Sequence, residues 1–373
     1  MLEGELQLNQ GTVHEAIFEL QEKWQDKVVQ RREVGADKIG RFPFADKWDL
    51  SDDNGHARRL NDVMPQLAKE GNKLFQLLFY TGDEGLRSIG EAVKLALRSH
   101  EQIICMHADH LIAPWWMLYL PATDDVELDD EGGQWSWEGF WGFSHLIEHT
   151  FTRTPGWDPC LRIQGQSLVA GVNVDRNLDE EFIDSPCVRP VIEMFQSATQ
   201  AIVRETKSGL ARDIKSPFFT DQILYFGCHG TGITHATGPG QSYLKLTDQD
   251  PIRATDFIAW LNQTPLRSNP LVFINACQGG QMSSLFYTAF GRELLTRGAN
   301  CLLGPHVDIP PLFAREYARE FFDKMLHKDV RAGDIVREIV RDSAVKRKNP
   351  LSLVVALYRG LDTHVCAGPG EER

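Results

Sequence analysis

Apolar residues fall at helical spacing through the first hundred positions and at strand spacing after them. Over Val13–Val29, Ile17, Leu20, Trp24 and Val28 recur every third or fourth residue, as do Leu60, Met64, Leu67, Leu74 and Leu78 over Ala57–Tyr80. Ile89, Ala92, Leu95 and Leu97 predict a third helix over Glu84–Arg98. Then the period shortens. Ile103–Met106 and Trp115–Leu120 are short apolar runs suited to strands, and Asp124–Gly133 is an acidic, exposed loop. Ser167–Val174 predicts another strand, and Arg189–Arg204 reads as a helix.

From about Asp221 strand and helix alternate. Ile223–Phe226, Leu271–Ile274 and Cys301–Leu303 have the pattern of buried strands, with a shorter run at Tyr243–Leu246. Between them, Thr255 would cap a helix through Leu261, with Asp256 in its first turn, and a second helix runs from about Met282 to Arg297 and stops at Gly298. Leu312–Leu326 and Ala332–Lys346 predict two more helices before a last strand at Leu351–Tyr358. Such alternation predicts an α/β sandwich of three layers with a largely parallel central sheet. Three regions follow: a mainly helical segment over 1–100, a second region over 101–215 and a third over 216–373.

Composition narrows the class. Of 373 residues 42% are hydrophobic and 24% charged, which suits a folded globular protein. The net charge of −13, from 39 basic and 52 acidic residues, argues against binding nucleic acid or an anionic membrane surface. Nowhere do eighteen apolar residues run together, and the acidic start from Met1 to Gln7 lacks a signal-peptide core. The cysteines Cys105, Cys160, Cys187, Cys228, Cys277, Cys301 and Cys366 are odd in number and scattered, with no C-x-x-C pair. They read as thiols of a reducing compartment, hence a cytoplasmic location.

Two reactive side chains occupy equivalent places. His229 follows the 223–226 run and Cys277 follows the 271–274 run, with a helix between. A crossover would make the two strands parallel and bring both carboxyl ends to one sheet edge, where open α/β folds place ligands. A thiol of ordinary pKa, about 8.5, must lose its proton to attack a carbonyl, and an adjacent imidazole assists. Backbone N–H groups of Gly230 and Cys277 would hold the oxyanion, while Gly279 and Gly280 allow a substrate backbone to approach.

The segments Tyr225-Phe226-Gly227-Cys228-His229-Gly230 and Leu271-Val272-Phe273-Ile274-Asn275-Ala276-Cys277-Gln278-Gly279-Gly280 resemble the CHAT family of caspase-like peptidases, relatives of caspases and separases. The caspase signature is Q-A-C-x-G with a His about 50 residues upstream. Here the separation is 277 − 229 = 48, and Asn275 stands where caspases have Gln. The resemblance is dense over about 221–360 and sparser over 100–220, where Pro114–Tyr119 is similar to the family's P-W-E-L-L segment with Trp116 in place of Glu. It implies a catalytic half over 216–373 and a pseudo-half over 101–215 that lacks catalytic residues. It further implies peptide-bond hydrolysis by Cys277 and His229 without metal or cofactor. Bacterial members often serve antiviral defence, cutting a pore-forming or regulatory protein substrate once a sensor or partner is triggered. Asp308 lies where many relatives carry the acid that selects a basic P1 side chain, although Pro305 and Ile309 depart from their pattern. Asp308 and Asn275 are therefore the substrate-pocket candidates.

Two other readings compete. A caspase-like scaffold can be kept as a catalytically silent interaction module, against which the retained His–Cys pair counts. His145-Leu146-Ile147-Glu148-His149 matches H-x-x-E-H, an inverted zinc-peptidase motif, which requires a helix; its aromatic and β-branched flanks suit a strand or a short surface helix better. Gly230-Thr231-Gly232 opens like a dinucleotide loop but has His235 at the sixth position and no helical pattern after it.

Overall fold

Helices with an apolar stripe gain by burying it, and the first two over the first hundred residues do so, whereas the third buries only Leu86 and Gly90 and leaves Leu95 69% exposed. In a computed structural model of the chain, α1 (Gln10–Trp24) packs on α2 (His56–Tyr80), and α2 on α3 (Glu84–Ser99). Asn9 caps α1 by accepting the Thr12 N–H at 2.9 Å, and Asp83 caps α3 through the Leu86 N–H at 2.8 Å. The described residues are all but 1, 35–39, 109–110, 129–133, 151–157, 164, 166, 232–241, 263–264, 277–283, 328 and 367–373. They divide into two compact units. The first comprises Met1–Ile104, Ala113–Ile147 and Val340–Val354; the second comprises Cys105–Ile112, Glu148–Ile339 and Val355–Arg373.

In the first unit a short hairpin, β1 (Glu33–Val34) with β2 (Gly40–Arg41), accompanies the helices. Its core is aromatic: Trp24 meets Phe140 edge-on at 6.2 Å, and Phe75 meets Trp141 of α4 (Trp141–Ser144) at 5.8 Å. Trp115–Leu120, expected as a strand, instead makes a 3-10 turn over Trp115–Met117 and a single bridge from Tyr119 to Phe140. Every residue of that run is buried, so it lacks the alternation that distinguishes a half-exposed strand. β3 (Ile103–His107) and β4 (Leu146–Thr150) form a two-stranded sheet, and β5 (Cys160–Arg162) follows.

The second unit is built on six strands. β6 (Val169–Val174), β7 (Gln200–Arg204) and β8 (Ile223–Gly227) are parallel, with β6 between the other two. A small antiparallel meander of β9 (His229–Thr231), β10 (Tyr243–Lys245) and β11 (Pro251–Arg253) leaves the carboxyl end of β8. β12 (Leu271–Ile274) returns parallel to β8, β13 (Cys301–Pro305) is parallel to β12, and β14 (Val355–Arg359) closes the edge antiparallel to β13. The order is β14-β13-β12-β8-β6-β7.

Helices form the crossovers: α5 (Asn177–Glu181) and α6 (Arg189–Ala198) between β6 and β7, then α7 (Lys207–Ile214) before β8. α8 (Ala254–Leu261), α9 (Ser284–Thr296), α10 (Pro311–His327) and α11 (Ala332–Val345) connect the rest. Tyr225 and Phe226, adjacent on β8, point to opposite faces. Tyr225 meets Phe195 of α6 and Phe322 of α10, whereas Phe226 meets Phe257 of α8. Helices therefore cover both faces of a largely parallel sheet, the three-layer α/β sandwich expected.

Three further details differ from the sequence reading. Arg189–Arg204 is not one helix: Thr199 ends α6, its N–H and hydroxyl both bonding to the Phe195 carbonyl, and Ala201–Val203 become the edge strand β7. The strand expected at Leu351–Tyr358 starts at Val355, because Pro350–Val354 is a buried 3-10 turn. The cysteines are not all thiols, since Cys160 and Cys366 form a disulfide. Their 206-residue separation hides the pair in sequence; parallel pairing of β5 with β15 (His364–Cys366) brings their Cα atoms to 5.6 Å, within disulfide range. No helix among the described residues is long and apolar enough to cross a membrane.

Candidate active site

Strand register positions the site. Phe226 on β8 lies opposite Ile274 on β12 and, on the other side, opposite Asn173 on β6. The carboxyl ends of three neighbouring strands thus lie level along one edge, and the segments leaving them begin with chemistry. His229 stands three residues past Phe226, in β9. Asp175 follows β6 directly and donates its N–H to the Gly227 carbonyl at 3.0 Å. Directly after β12 the Asn275 N–H donates to the Phe226 carbonyl at 2.9 Å, and Ala276 is buried. Cys277, Gln278, Gly279 and Gly280 lie outside the described residues, as do Gly232 and His235.

The His229 side chain is 21% exposed, which keeps it reachable from solvent. Its Nε2 lies 3.7 Å from Asp175 Oδ2 and 3.6 Å from Glu181 Oε1. The two acids differ in setting. Asp175 is fully buried, while Glu181, the last residue of α5, is half exposed. Burial pushes the Asp175 carboxyl above the usual carboxylate range, opposed by hydrogen bonds from Gln249 and Asn177 and by His229 nearby. Those bonds are 2.7 Å from Gln249 Nε2 to Oδ2 and 3.0 Å from the Asn177 N–H to Oδ1. Gln249 holds this pose from a left-handed backbone, φ +60°, in a turn where its N–H donates to the Leu246 carbonyl.

Asp175 was missed in the sequence, although its signal is the one that marks His229: a polar group directly after an apolar strand, here Val169-Ala170-Gly171-Val172-Asn173-Val174. Of the other candidates, Gly230 is buried in β9 beside His229. Asn275 is 2% exposed and its amide donates to the Tyr225 hydroxyl at 2.9 Å and the Ala314 carbonyl at 2.7 Å. Asp308 is half-buried in the segment joining β13 to α10. Cys228, beside His229, is buried, and burial pushes its thiol far up.

The H-x-x-E-H segment is not helical. Leu146–Thr150 is strand β4, and Glu148 accepts the Gly360 and Leu361 N–H groups. Burial holds both His145 and His149 down at about 4. Among the described residues no group of three or more His, Cys, Asp and Glu side chains is arranged to hold a metal ion.

No protein-family profile matches the chain. A probable protease of Vitiosangium sp. (strain GDMCC 1.1324) is 26% identical over 255 residues, 63% of this chain and 31% of that protein. The chain therefore spans less than a third of the curated relative it matches. Two crystal structures of the Saccharomyces cerevisiae separase–securin complex are similar at 10% identity, with TM-scores of 0.39 and 0.40. They cover 92% and 97% of this chain and 22% and 23% of the matched chain.

Proposed function

We propose that this chain is a caspase-like cysteine endopeptidase of the CHAT kind, acting on a protein substrate through Cys277 and His229. The observation that carries the reading is strand register. Phe226 and Ile274 are direct partners, and the His and the Cys each follow three residues later (229 − 226 = 277 − 274 = 3). In this reading, two strands about 4.8 Å apart would present an imidazole and a thiol from one sheet edge. The sequence relationship to a probable protease is in keeping with this.

The chemistry follows from those groups. The imidazole takes the thiol proton, and the thiolate attacks the scissile carbonyl carbon, forming a C–S bond while the carbonyl π pair moves to oxygen. Backbone N–H groups of Gly230 and Cys277 hold that oxyanion. As the C–N bond breaks, the imidazolium gives its proton to the leaving amine. Water, deprotonated by the same imidazole, then cleaves the thioester and restores the thiol. Asp308 is the candidate for selecting a basic P1 side chain. The substrate and the trigger would belong to a defence pathway of the type bacterial CHAT peptidases serve.

The test compares wild type with Cys277→Ala and His229→Ala on a denatured protein mixture, reading new N-termini by mass spectrometry. Cleavage by wild type alone is the expected result. Equal cleavage by a folded Cys277→Ala protein would overturn the assignment.

A further inference from the structure

Because the proposed mechanism leaves the acid behind His229 unused, we infer that Asp175 is the positioning residue for His229, fixing the imidazole with Nε2 directed at its carboxylate and Nδ1 left for the thiol. This rests on the cysteine-peptidase reading and adds a third member to it. The two ring nitrogens of a neutral imidazole are unlike, one a donor and one an acceptor, and a fixed neighbour decides which is which. A base must present its unprotonated nitrogen to the thiol. An acceptor held at the far nitrogen enforces that tautomer and then stabilises the imidazolium that forms.

The geometry singles out Asp175 for this. The groups facing the imidazole among the described residues are Asp175 after β6, Glu181 on α5 and, across the β9–β10 pairing, Lys245. Lys245 leans over the Tyr243 ring, 5.4 Å from its centroid. Glu181 is 49% exposed, so solvent screens its field and its side chain is free to swing. Asp175 is 0% exposed and cannot swing. Its Oδ1 accepts the Asn177 N–H, its Oδ2 accepts the Gln249 amide, and its own N–H is tied to Gly227, two residues before the His. The 3.7 Å separation exceeds a hydrogen bond, as substrate-free catalytic contacts often do before they tighten. Thr247 locks the same corner, donating its N–H and its hydroxyl to the Val174 carbonyl while its hydroxyl oxygen accepts the Arg176 N–H. A non-glycine residue in a left-handed turn whose amide is aimed at this carboxylate indicates a built support, since such backbone strain persists only where surrounding structure maintains it.

The experiment measures the rate at which iodoacetamide alkylates Cys277, by peptide mapping across pH 5–9, so that no knowledge of the natural substrate is needed. Asp175→Asn is isosteric; far-UV circular dichroism and Tm check its fold. We expect it to slow Cys277 alkylation at pH 7 at least tenfold and to move the alkaline limb of the profile to lower pH, with Asp175→Glu recovering part of the rate. In a His229→Ala background the same change should add nothing. Should Asp175→Asn fail to fold, Gln249→Gly, which suits the left-handed backbone and removes only the supporting amide, should slow alkylation at least threefold. A folded Asp175→Asn with wild-type rate and profile overturns the inference, as does the effect appearing in Glu181→Gln instead. The underlying reading fails separately, if His229→Ala leaves Cys277 alkylation unchanged.

Discussion

The Glu148 carboxylate accepts the Gly360 N–H at 2.8 Å, joining β4 to the turn after β14 across 212 residues of sequence. The same oxygen accepts the Leu361 N–H at 2.9 Å, and Gly360 has φ +93° with no room for a Cβ. Glu148 is therefore a clamp on a left-handed turn, with its carboxylate already bonded. Glu148→Ala should lower stability by about 2 kcal/mol, in the range of charge-assisted hydrogen bonds, read as a fall in urea midpoint. EDTA should leave proteolysis unchanged; loss of activity with chelator, restored by zinc, would revive the metallopeptidase reading.

Substrate selectivity and stability should separate at Asn275 and Asp308. Asn275 is buried with its amide bonded within the protein, so Asn275→Ala should cost about 2 kcal/mol by leaving the Ala314 carbonyl without this donor. Its P1 preference should match wild type. Asp308→Ala should instead lower cleavage after Arg or Lys at least tenfold and affect cleavage after Leu or Met less. A peptide library varied at P1 separates the two, and a wild-type preference for uncharged P1 residues would remove Asp308 from the pocket.

Alkylation should find Cys277 first. Cys187, Cys228 and Cys301 are buried, and burial raises their thiols, that of Cys187 to about 11. Cys105 is exposed, but desolvation, with Glu148 and Asp362 nearby, holds its thiol above the ordinary range. Partial iodoacetamide treatment at pH 7 followed by peptide mapping should show Cys277 modified before Cys105. The reverse order would argue against an activated thiol.

Acid should destabilise the fold well above the carboxylate range. Burial lowers His145 and His149 to about 4 and His306 to about 3, so the folded protein binds fewer protons than the unfolded chain. Their contribution is complete above the unfolded value of about 6.5, shrinks as pH falls below it, and levels off at the folded values. Between pH 7 and pH 5 each should remove about 2 kcal/mol. The urea midpoint should fall over that interval, and His306→Phe should flatten the slope; a level midpoint would contradict it.

How much of this was legible depends on what each residue needed from its surroundings. β8, β12 and β13 were readable because all their residues are buried and the flanking helices carry the complementary period. α2 and α3 ran within a residue of expectation because apolar residues recur in them at helical spacing. β7 was not, because Ala201-Ile202-Val203 continues the apolar positions of α6, and only the Thr199 bonds to Phe195 break them. The positions of His229 and Cys277 after two strands were visible in sequence. Asp175 was not, since an aspartate after a strand is ordinary until the pairing of β6 with β8 brings it to the sheet edge from which His229 leaves.

Within the six-stranded sheet β14 is the last strand made, and it covers β13, whose residues are all buried in the finished sheet. During synthesis the first five strands of that sheet leave the ribosome while α10 and α11 are still to come. Until Val355–Arg359 emerges, β13 presents an open, apolar row of backbone donors and acceptors that another nascent chain can pair with. A stop codon or a protease cut ahead of residue 355 would leave that edge uncovered permanently, turning a truncated product into a seed for aggregation rather than a smaller folded protein.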